Sequence, residues 1–366
     1  MCGIAGIINQ ELAVSERELL VSTMMKKLMH RGPDDSGIYS GNGFTIGHQR
    51  LSIIDLENGK QPMVSVDGRY SIVFNGEIYN YLELRQRLVQ KGIHFQTYSD
   101  TEVLLQLLIL EKEKAFCSLN GMFAFAFIDN ESGEWILARD HFGIKPLYYF
   151  VDETRILFAS EIKALFAKNM IAPQEDWHGI EQYLTFQFCL GEGTLFRDIK
   201  KVEPGYYIKG KNSSIVEKKS YWDTIYQIDE FHTKAFFVEE LRYLLDDSLK
   251  LQIRSDVPVG AYLSGGLDSS VVSSYASRHL DSSIPVFNGL FSEAAEYDES
   301  HFAKILAESI QADYFEVIPT EKDFVDSIRN LIYMMDEPVA GPGVFPQYMV
   351  SKFASEHVKV VLGGQG

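Results

Sequence analysis

The sequence predicts two folds in series: an α+β portion rich in antiparallel strands over residues 1–215, then an α/β doubly wound parallel sheet over residues 216–366. Three observations lead there. Between Met122 and Ala159, β-rich runs follow one another too closely to leave room for crossover helices, which favours antiparallel pairing. From about Ala235 onward, helical and strand-like stretches alternate, the rhythm of a parallel sheet. The length of 366 residues also exceeds what a single hydrophobic core normally organises.

In the first portion, Ser15 to Glu18 has the spacing of a capping box and predicts a helix running to about Met29. Asn80 to Glu83 repeats the pattern ahead of a helix that Gly92 should stop. Strands are expected at Met122–Ile128 and Trp135–Ala138, joined by the turn-forming residues 129–133, and again at Leu147–Phe150 and Ile156–Ala159. The polar stretch Gly210–Glu217 is the expected boundary. Beyond it, a helix from about Ala235 to Ile253 precedes the strand Val259–Leu263, a glycine turn and a helix from about Asp268. Strands at Val286–Leu290, Tyr314–Val317 and Val358–Leu362 then alternate with helices around Ser300–Ser309, Lys322–Met335 and one more before Val358.

A formal charge of −17, with 46% apolar and 23% charged residues, describes a soluble globular chain and argues against binding nucleic acid, whose phosphates need clustered Lys and Arg. No apolar run reaches bilayer length, so no membrane partner is expected. The opening MCGIAGIINQE is short and lacks a basic residue before its apolar stretch, unlike a secretory signal. Three cysteines, an odd number, fit a reducing compartment, and a cytoplasmic location is expected.

Cys2 stands where removal of Met1 would leave a residue bearing both a thiol and a free α-amine. Their ordinary pKa values, about 8.5 and about 8, lie close enough for the amine to act as base to its own thiol. A small residue at a loose terminus is the alternative. Further along come Arg31-Gly32-Pro33-Asp34-Asp35-Ser36-Gly37, His48-Gln49-Arg50-Leu51-Ser52-Ile53-Ile54-Asp55, Phe74-Asn75-Gly76-Glu77-Ile78-Tyr79-Asn80 and Ser99-Asp100-Thr101-Glu102. With MCGIAGI, this ordered series resembles the class II glutamine amidotransferases, which are Ntn-hydrolases with a four-layer αββα sandwich and an N-terminal cysteine nucleophile. The resemblance implies that Arg50 holds the glutamine α-carboxylate and that Asp100 and Glu77 meet its α-ammonium. It further implies that Asn75 and Gly76 form the oxyanion hole, and that Leu51, Ile53 and Ile54 line the glutamine pocket. Taken alone, Arg50 could be a surface ion-pair residue, Asn75-Gly76 a hairpin turn, and Asp100 a helix N-cap. Gly121–Phe127, Arg139-Asp140 and Gly143–Tyr149 match the same family and are expected to be scaffold.

Ser264-Gly265-Gly266-Leu267-Asp268-Ser269-Ser270 lies between an expected strand and an expected helix. Glycines there let backbone N–H groups crowd an anion, the hydroxyls add donors, and the helix dipole favours negative charge. Asp268 suits a Mg²⁺ bridging phosphates, with helix capping as the alternative. Gly205–Lys211 has Walker A spacing, but Asn212 replaces the metal-binding hydroxyl residue and Tyr206-Tyr207-Ile208 belongs to a strand, so a phosphate loop is rejected there. The Ser264–Ser270 segment resembles the PP-loop of ATP pyrophosphatases, of the adenine nucleotide alpha hydrolase-like fold.

An amidotransferase portion followed by a PP-loop portion resembles the glutamine-hydrolysing asparagine synthetase family. This implies that ATP activates aspartate as β-aspartyl-AMP and that ammonia from glutamine displaces AMP, with Mg²⁺ as cofactor. A relative amidating another carboxylate, on a sugar or peptide, is the alternative; a homodimer is compatible with either. By position, Leu263, Ser264, Gly265, Gly266, Asp268, Ser269, Ser270, Asn288, Gly363 and Gly364 would contact ATP. Glu296-Tyr297-Asp298-Glu299-Ser300 and Asp336-Glu337-Pro338 also follow the family pattern, the latter bordering the expected acceptor site; each acid could instead cap a helix. Gln365 stands where the family usually has an acid, and Asn288 where it usually has an aliphatic residue near adenine. An Asp-Glu pair and a lysine expected further on are absent, so the chain is expected to be the front part of a longer protein.

Overall fold

The computed structural model describes residues 1–290, 298–338, 341 and 343–364. The chain divides into two compact units, Met1–Ile225 and Tyr226–Gly366.

The first unit is built on two six-stranded sheets, all of whose pairings are antiparallel. One runs, edge to edge, Lys200–Lys201, Tyr148–Val151, Arg155–Ala159, Gly3–Asn9, Phe44–Arg50 and Asp35–Gly41. The other runs Ser214–Ser220, Tyr206–Lys211, Glu134–Arg139, Gly121–Asp129, Tyr70–Ile78 and Met63–Val64. Successive side chains on a strand point to opposite faces, and both faces of the central strands are apolar. Ile4, Ile8, Phe44 and Ile46 meet Val73, Ala124, Ala126 and Leu137 in the layer between the sheets. Ala5 and Ile7 face outward onto Met24, Met25 and Leu28, at the end of the Val14–Lys27 helix. Ile72, Phe74, Phe123 and Phe125 cover Leu84, Leu88, Leu104, Leu105, Leu107 and Leu108 of the helices Tyr81–Gln90 and Asp100–Glu111. The result is the four-layer αββα sandwich.

Several local expectations are corrected. The first helix is capped at Ala13 rather than Ser15, and only half of a capping box forms: the Glu16 carboxylate accepts from the Ala13 N–H at 3.0 Å. Asn80 precedes its helix, but its side chain joins Ser118 O and Asn120 N instead of capping. Ser99, not Asp100, caps the Asp100–Glu111 helix, accepting from Glu102 N. Asn75-Gly76 is no turn, because both residues lie inside the Tyr70–Ile78 strand. Gly210–Glu217, the expected boundary, belongs to a hairpin between Tyr206–Lys211 and Ser214–Ser220, whose second strand is polar because it is a sheet edge. Gly205–Lys211 contributes a strand, in keeping with the rejected phosphate loop. The helix Trp177–Phe186, capped by Asp176, was not anticipated.

The second unit carries a four-stranded parallel sheet in the order Asp313–Val317, Pro285–Gly289, Val259–Tyr262, Val360–Leu362. Ala261 and Val286 pack with Leu249, Ala276 and Ala303 on one face, while Phe287 meets Val350 and Ala354 on the other. Chain order runs outward from Val259–Tyr262 on one side and returns on its opposite side at Val360–Leu362. The carboxyl end of Val259–Tyr262 is therefore the topological switch point, where doubly wound sheets bind ligands.

Candidate active site

Strand parity brings the first site together. Ile4 faces the layer between the sheets, so Cys2, two residues earlier, faces it as well. Phe44 and Ile46 face the same layer, which sends His48 and Arg50 there, and Gly3 pairs with Gln49, putting Cys2 beside Arg50. On the other sheet Val73 faces this layer, followed by Asn75 and Glu77. Cys2, Arg50, Asn75 and Glu77 thus converge at one end of the sandwich.

Cys2 is held at several atoms. Its sulfur accepts from the Leu51 N–H at 3.4 Å, and its carbonyl accepts from Arg31 Nε at 2.8 Å. Arg31 is itself fixed by Glu161 at 2.8 Å, a carboxylate that also meets His30 at 2.9 Å and Lys163 at 2.6 Å. Against its burial, the hydrogen bonds from His30, Lys163 and Arg31 and the charge of Arg31 hold the Glu161 carboxyl down to about 2. Burial pushes the Cys2 thiol up, opposed by the Leu51 N–H, the terminal amine and Lys145. Desolvation lowers the Met1 amine to about 6, which favours the neutral, proton-accepting form.

Arg50 donates to three loop carbonyls, Leu56 O at 3.0 Å, Ile54 O at 3.1 Å and Asp55 O at 2.7 Å. A guanidinium has five N–H groups, so two stay available. Gly59 is required here: a Cβ would lie 2.5 Å from Arg50 Nη2. Asp55 ties the same loop down, accepting from Asn58 N at 3.1 Å and Tyr98 N at 2.7 Å. Ile53 lies half-buried in this loop.

Asn75 is fully buried, and neither its amide nitrogen nor its amide oxygen finds a hydrogen-bond partner among the described residues. The Phe74 N–H donates to Gln61 Oε1 at 2.7 Å and the Ile78 N–H to Asp100 Oδ2 at 3.0 Å, both away from the paired Gly121–Asp129 strand. Alternation turns the Gly76 N–H, midway between them, toward the same edge. Glycine is needed because a Cβ there would sit 2.1 Å from Met122 O.

Two carboxyls lie near these donors. Burial raises Asp100 to about 6 despite its hydrogen bond from Ile78 N. Burial and the neighbouring Asp100 raise Glu77 to about 7. Two residues expected to be scaffold or given no role join them: Arg31 through the Cys2 carbonyl, and Lys145 through its charge on Glu77 and Cys2. Sequence reasoning missed both because their motifs are also rich in turn formers; the available signal was a cation within each motif.

In the second unit, Leu263 is buried and its N–H donates to Phe287 O at 2.9 Å. Gly265 has φ +95°, and a Cβ would lie 2.3 Å from Glu299 O, so the loop is seated against the start of the Ser300–Ser309 helix. Ser264 N and Oγ meet Ser269 Oγ at 3.2 and 3.0 Å, while Ser269 and Ser270 hydroxyls donate to Gly266 O at 3.1 and 2.7 Å. Gly364 abuts the first turn of the Leu267–Arg278 helix: a Cβ would lie 2.5 Å from Ser269 N. Gly363 precedes it directly. The Asp268 carboxylate is exposed in that turn and makes no hydrogen bond or ion pair with the described residues. Asn288 is buried and donates to the Tyr314 hydroxyl at 2.9 Å, which donates to Glu316 at 2.9 Å. Asp298 accepts from Ser300 N at 2.9 Å, the helix-capping alternative, and Asp336 is the C-cap of Glu321–Met335 with φ +59°. Glu337 N donates to Met335 O at 2.6 Å. Glu296, Tyr297 and Gln365 lie outside the described residues.

Residues 1–222 match the Glutamine amidotransferase domain family and residues 240–366 the Asparagine synthase family. The whole chain aligns with "Putative asparagine synthetase [glutamine-hydrolyzing] 2" of Methanocaldococcus jannaschii, at 35% identity and covering 74% of that protein. The chain belongs to the glutamine-hydrolysing asparagine synthetase family. Within this family it is 38% identical to asparagine synthetase 1 of Bacillus subtilis, aligning over its full length and 58% of that protein. It is 31% identical to asparagine synthetase B of Escherichia coli, over 100% of this chain and 63% of that one. The chain thus spans somewhat under two thirds of those two synthetases. Among the described residues no helix is long and apolar enough to cross a membrane.

Proposed function

We propose that the first unit hydrolyses glutamine at Cys2 and that the second uses ATP to activate aspartate, which the released ammonia converts to asparagine. The observation that carries the first half is the strand parity that turns Cys2 and Asn75 into the same layer, where the Asn75 amide has no hydrogen-bond partner among the described residues. With Met1 removed, the Cys2 amine takes the thiol proton as sulfur attacks the glutamine amide carbon. The resulting oxyanion is met by Asn75 Nδ2 and the Gly76 N–H, donors that act on charge appearing only then. Collapse returns a proton to nitrogen and expels ammonia, leaving a thioester at Cys2; water cleaves it to glutamate and restores the thiol. The two available N–H groups of Arg50 suit the α-carboxylate, and Asp100 with Glu77 suits the α-ammonium. Leu51, Ile53 and Ile54 line the pocket.

In the second unit the loop at the switch point, Ser264 to Ser270, suits the β- and γ-phosphates, with Leu263, Asn288, Gly363 and Gly364 around the rest of the nucleotide. Mg²⁺ fits this site in its usual manner, one or two carboxylates plus substrate phosphates, and Asp268, in the first helical turn and unpaired among the described residues, would hold it. When bound, it neutralises phosphate charge as pyrophosphate departs.

Incubating the natural protein with ATP, Mg²⁺, glutamine and aspartate is expected to yield asparagine, glutamate, AMP and pyrophosphate in equal amounts. Amidation of a sugar or peptide carboxylate, with aspartate untouched, would overturn the acceptor assignment.

Glutamine affinity is expected to fall on acidification. Asp100 and Glu77, raised to about 6 and about 7, lose their charges as pH drops through that range, and with them the attraction for an ammonium. KM for glutamine should rise by up to about tenfold per pH unit below about pH 6. The linkage has a definite sign. Carboxyls with raised native pKa bind protons more tightly folded than unfolded, so the free protein loses stability as pH climbs from about 4 to about 7. Glutamine should therefore raise the melting temperature of a Cys2→Ala variant more at about pH 8 than at about pH 5. Equal increments would contradict the carboxylate roles.

A further inference from the structure

The Tyr70–Ile78 strand, which carries Asn75, Gly76 and Glu77, is paired along its whole length on one edge but over only a short stretch on the other. On that second edge Met63 pairs with Ile72 and Val64 with Ser71, and there the partner strand ends. From Phe74 onward the main-chain groups of this edge need other partners. Gln61 supplies them for Phe74. Its Oε1 accepts from the Phe74 N–H at 2.7 Å and its Nε2 donates to the Phe74 carbonyl at 3.2 Å, so the side-chain amide stands in for one further rung of the ladder. His48, from the facing sheet, meets the same carbonyl at 3.0 Å. Further along, the Asp100 carboxylate takes the Ile78 N–H at 3.0 Å. Two side chains thus close this edge on either side of the Gly76 N–H, one of the two donors assigned to the oxyanion.

Gln61 does more than fill an edge. The same Nε2 donates to Thr101 Oγ1 at 3.2 Å, in the first turn of the Asp100–Glu111 helix, so both hydrogens of the amide are engaged. Gln61, Phe74 and Thr101 are all buried, where hydrogen bonds face little competition from water. The main chain of Gln61 is seated as well: its carbonyl lies against Gly37, where a Cβ would come within 2.3 Å. One amide therefore joins the residue before Asn75 to the residue after Asp100. Satisfying the Phe74 main chain alone needs no bond to that helix. The amide carbon and α-ammonium of glutamine are joined by a chain of fixed length, so the groups that meet its two ends must be held at a set separation. Resting on the reading of the first unit as a glutaminase, we propose that Gln61 is a positioning residue for glutamine hydrolysis: its side-chain amide sets the Asn75–Gly76 oxyanion donors against the Asp100 carboxylate.

The test is steady-state glutamine hydrolysis by the natural protein and its Gln61→Met and Thr101→Val variants. Beside it runs the rate of Cys2 modification by methyl methanethiosulfonate, a thiol reagent with no carbonyl for the oxyanion donors to meet, followed by mass spectrometry of the N-terminal peptide. Gln61→Met is expected to lower kcat by about ten- to a hundredfold and to raise KM about threefold, with Cys2 modification unchanged within about twofold. In an Asn75→Ala background the same change should lower kcat by a smaller factor, because one of the donors it positions is gone. Thr101→Val, which removes only the arm to the helix, should raise KM about threefold and leave kcat near wild type. A Gln61→Met loss undiminished by Asn75→Ala, or Cys2 modification slowed as much as kcat, marks a general loosening of the scaffold and overturns the proposal. Unchanged KM in Thr101→Val overturns it even where Gln61→Met does not fold. Failure of the glutaminase reading looks different: the wild-type protein would release no glutamate, whatever stands at position 61.

Discussion

Replacing Cys2 with alanine is expected to abolish glutamate release, by about 10⁴-fold or more, while leaving ammonia-dependent amidation in the natural protein largely intact. Removal of a covalent nucleophile disables the whole hydrolytic cycle, since the oxyanion donors then have no tetrahedral intermediate to act upon. Little stability should be lost. The sulfur's contacts are a 3.4 Å hydrogen bond from Leu51 N and a 3.7 Å approach to Leu51 O, and the carbonyl that anchors the residue to Arg31 belongs to the main chain, which alanine keeps. A melting temperature within about 2 °C of wild type is anticipated. The second half of the prediction rests on the two units having cores of their own, with Cys2 in the first and the Ser264–Ser270 loop in the second. Parallel glutamine- and ammonia-driven assays check it. Equal loss of both activities would contradict two separate sites, and retained glutamate release would remove Cys2 as nucleophile.

The site was legible in the sequence where function depends on residue type in order along the chain. Cys2, Arg50, Asn75 and Glu77 are residue types with chemistry that few other side chains could supply, and strand parity sends these four into one layer, while Gly76 offers its main-chain N–H and Asp100 comes from a helix. The parallel sheet was equally legible, since alternation of strand and helix is visible in hydropathy. What stayed hidden depends on where the backbone goes. Arg31 holds Cys2 through a main-chain carbonyl, a contact between residues 29 positions apart that no local pattern announces. Lys145 looks like an ordinary lysine in a Gly-Ile-Lys-Pro turn until Asp140 and Arg139 are seen to clamp its main chain. Helix starts slipped for a related reason. Ser15 and Asn80 have good capping chemistry, but tertiary contacts decide whether a side chain turns back on its own helix, and Asn80 instead spans Ser118 and Asn120. Gly210–Glu217 looked like a linker because the solvated edge of a sheet is as polar as a linker is.

Asn75→Ala should separate activity from stability more sharply than any other change in this site. Its amide is fully buried, and both polar atoms lack a hydrogen bond to any of the described residues, so truncation to alanine breaks none of those. Ordinary buried asparagines cost about 1–3 kcal/mol when their partners are left unsatisfied by such a change. Here no partner is left behind, and the remaining loss is the packing of one short side chain, offset by removing a polar group from an apolar layer. The melting temperature is therefore expected to hold or rise slightly, while kcat for glutamine hydrolysis falls by about 10²–10³, the usual effect of deleting one oxyanion donor. KM should change far less, because the donor meets charge that exists only after sulfur has attacked. The Gly76 N–H, supplied by the main chain and aimed along the same strand edge as the Phe74 and Ile78 N–H groups, would remain and account for residual turnover. Steady-state kinetics beside thermal unfolding of the same preparation provide the check. A variant that melts well below wild type, with kcat and KM changed together, would make Asn75 a structural residue and return the oxyanion role to the backbone alone.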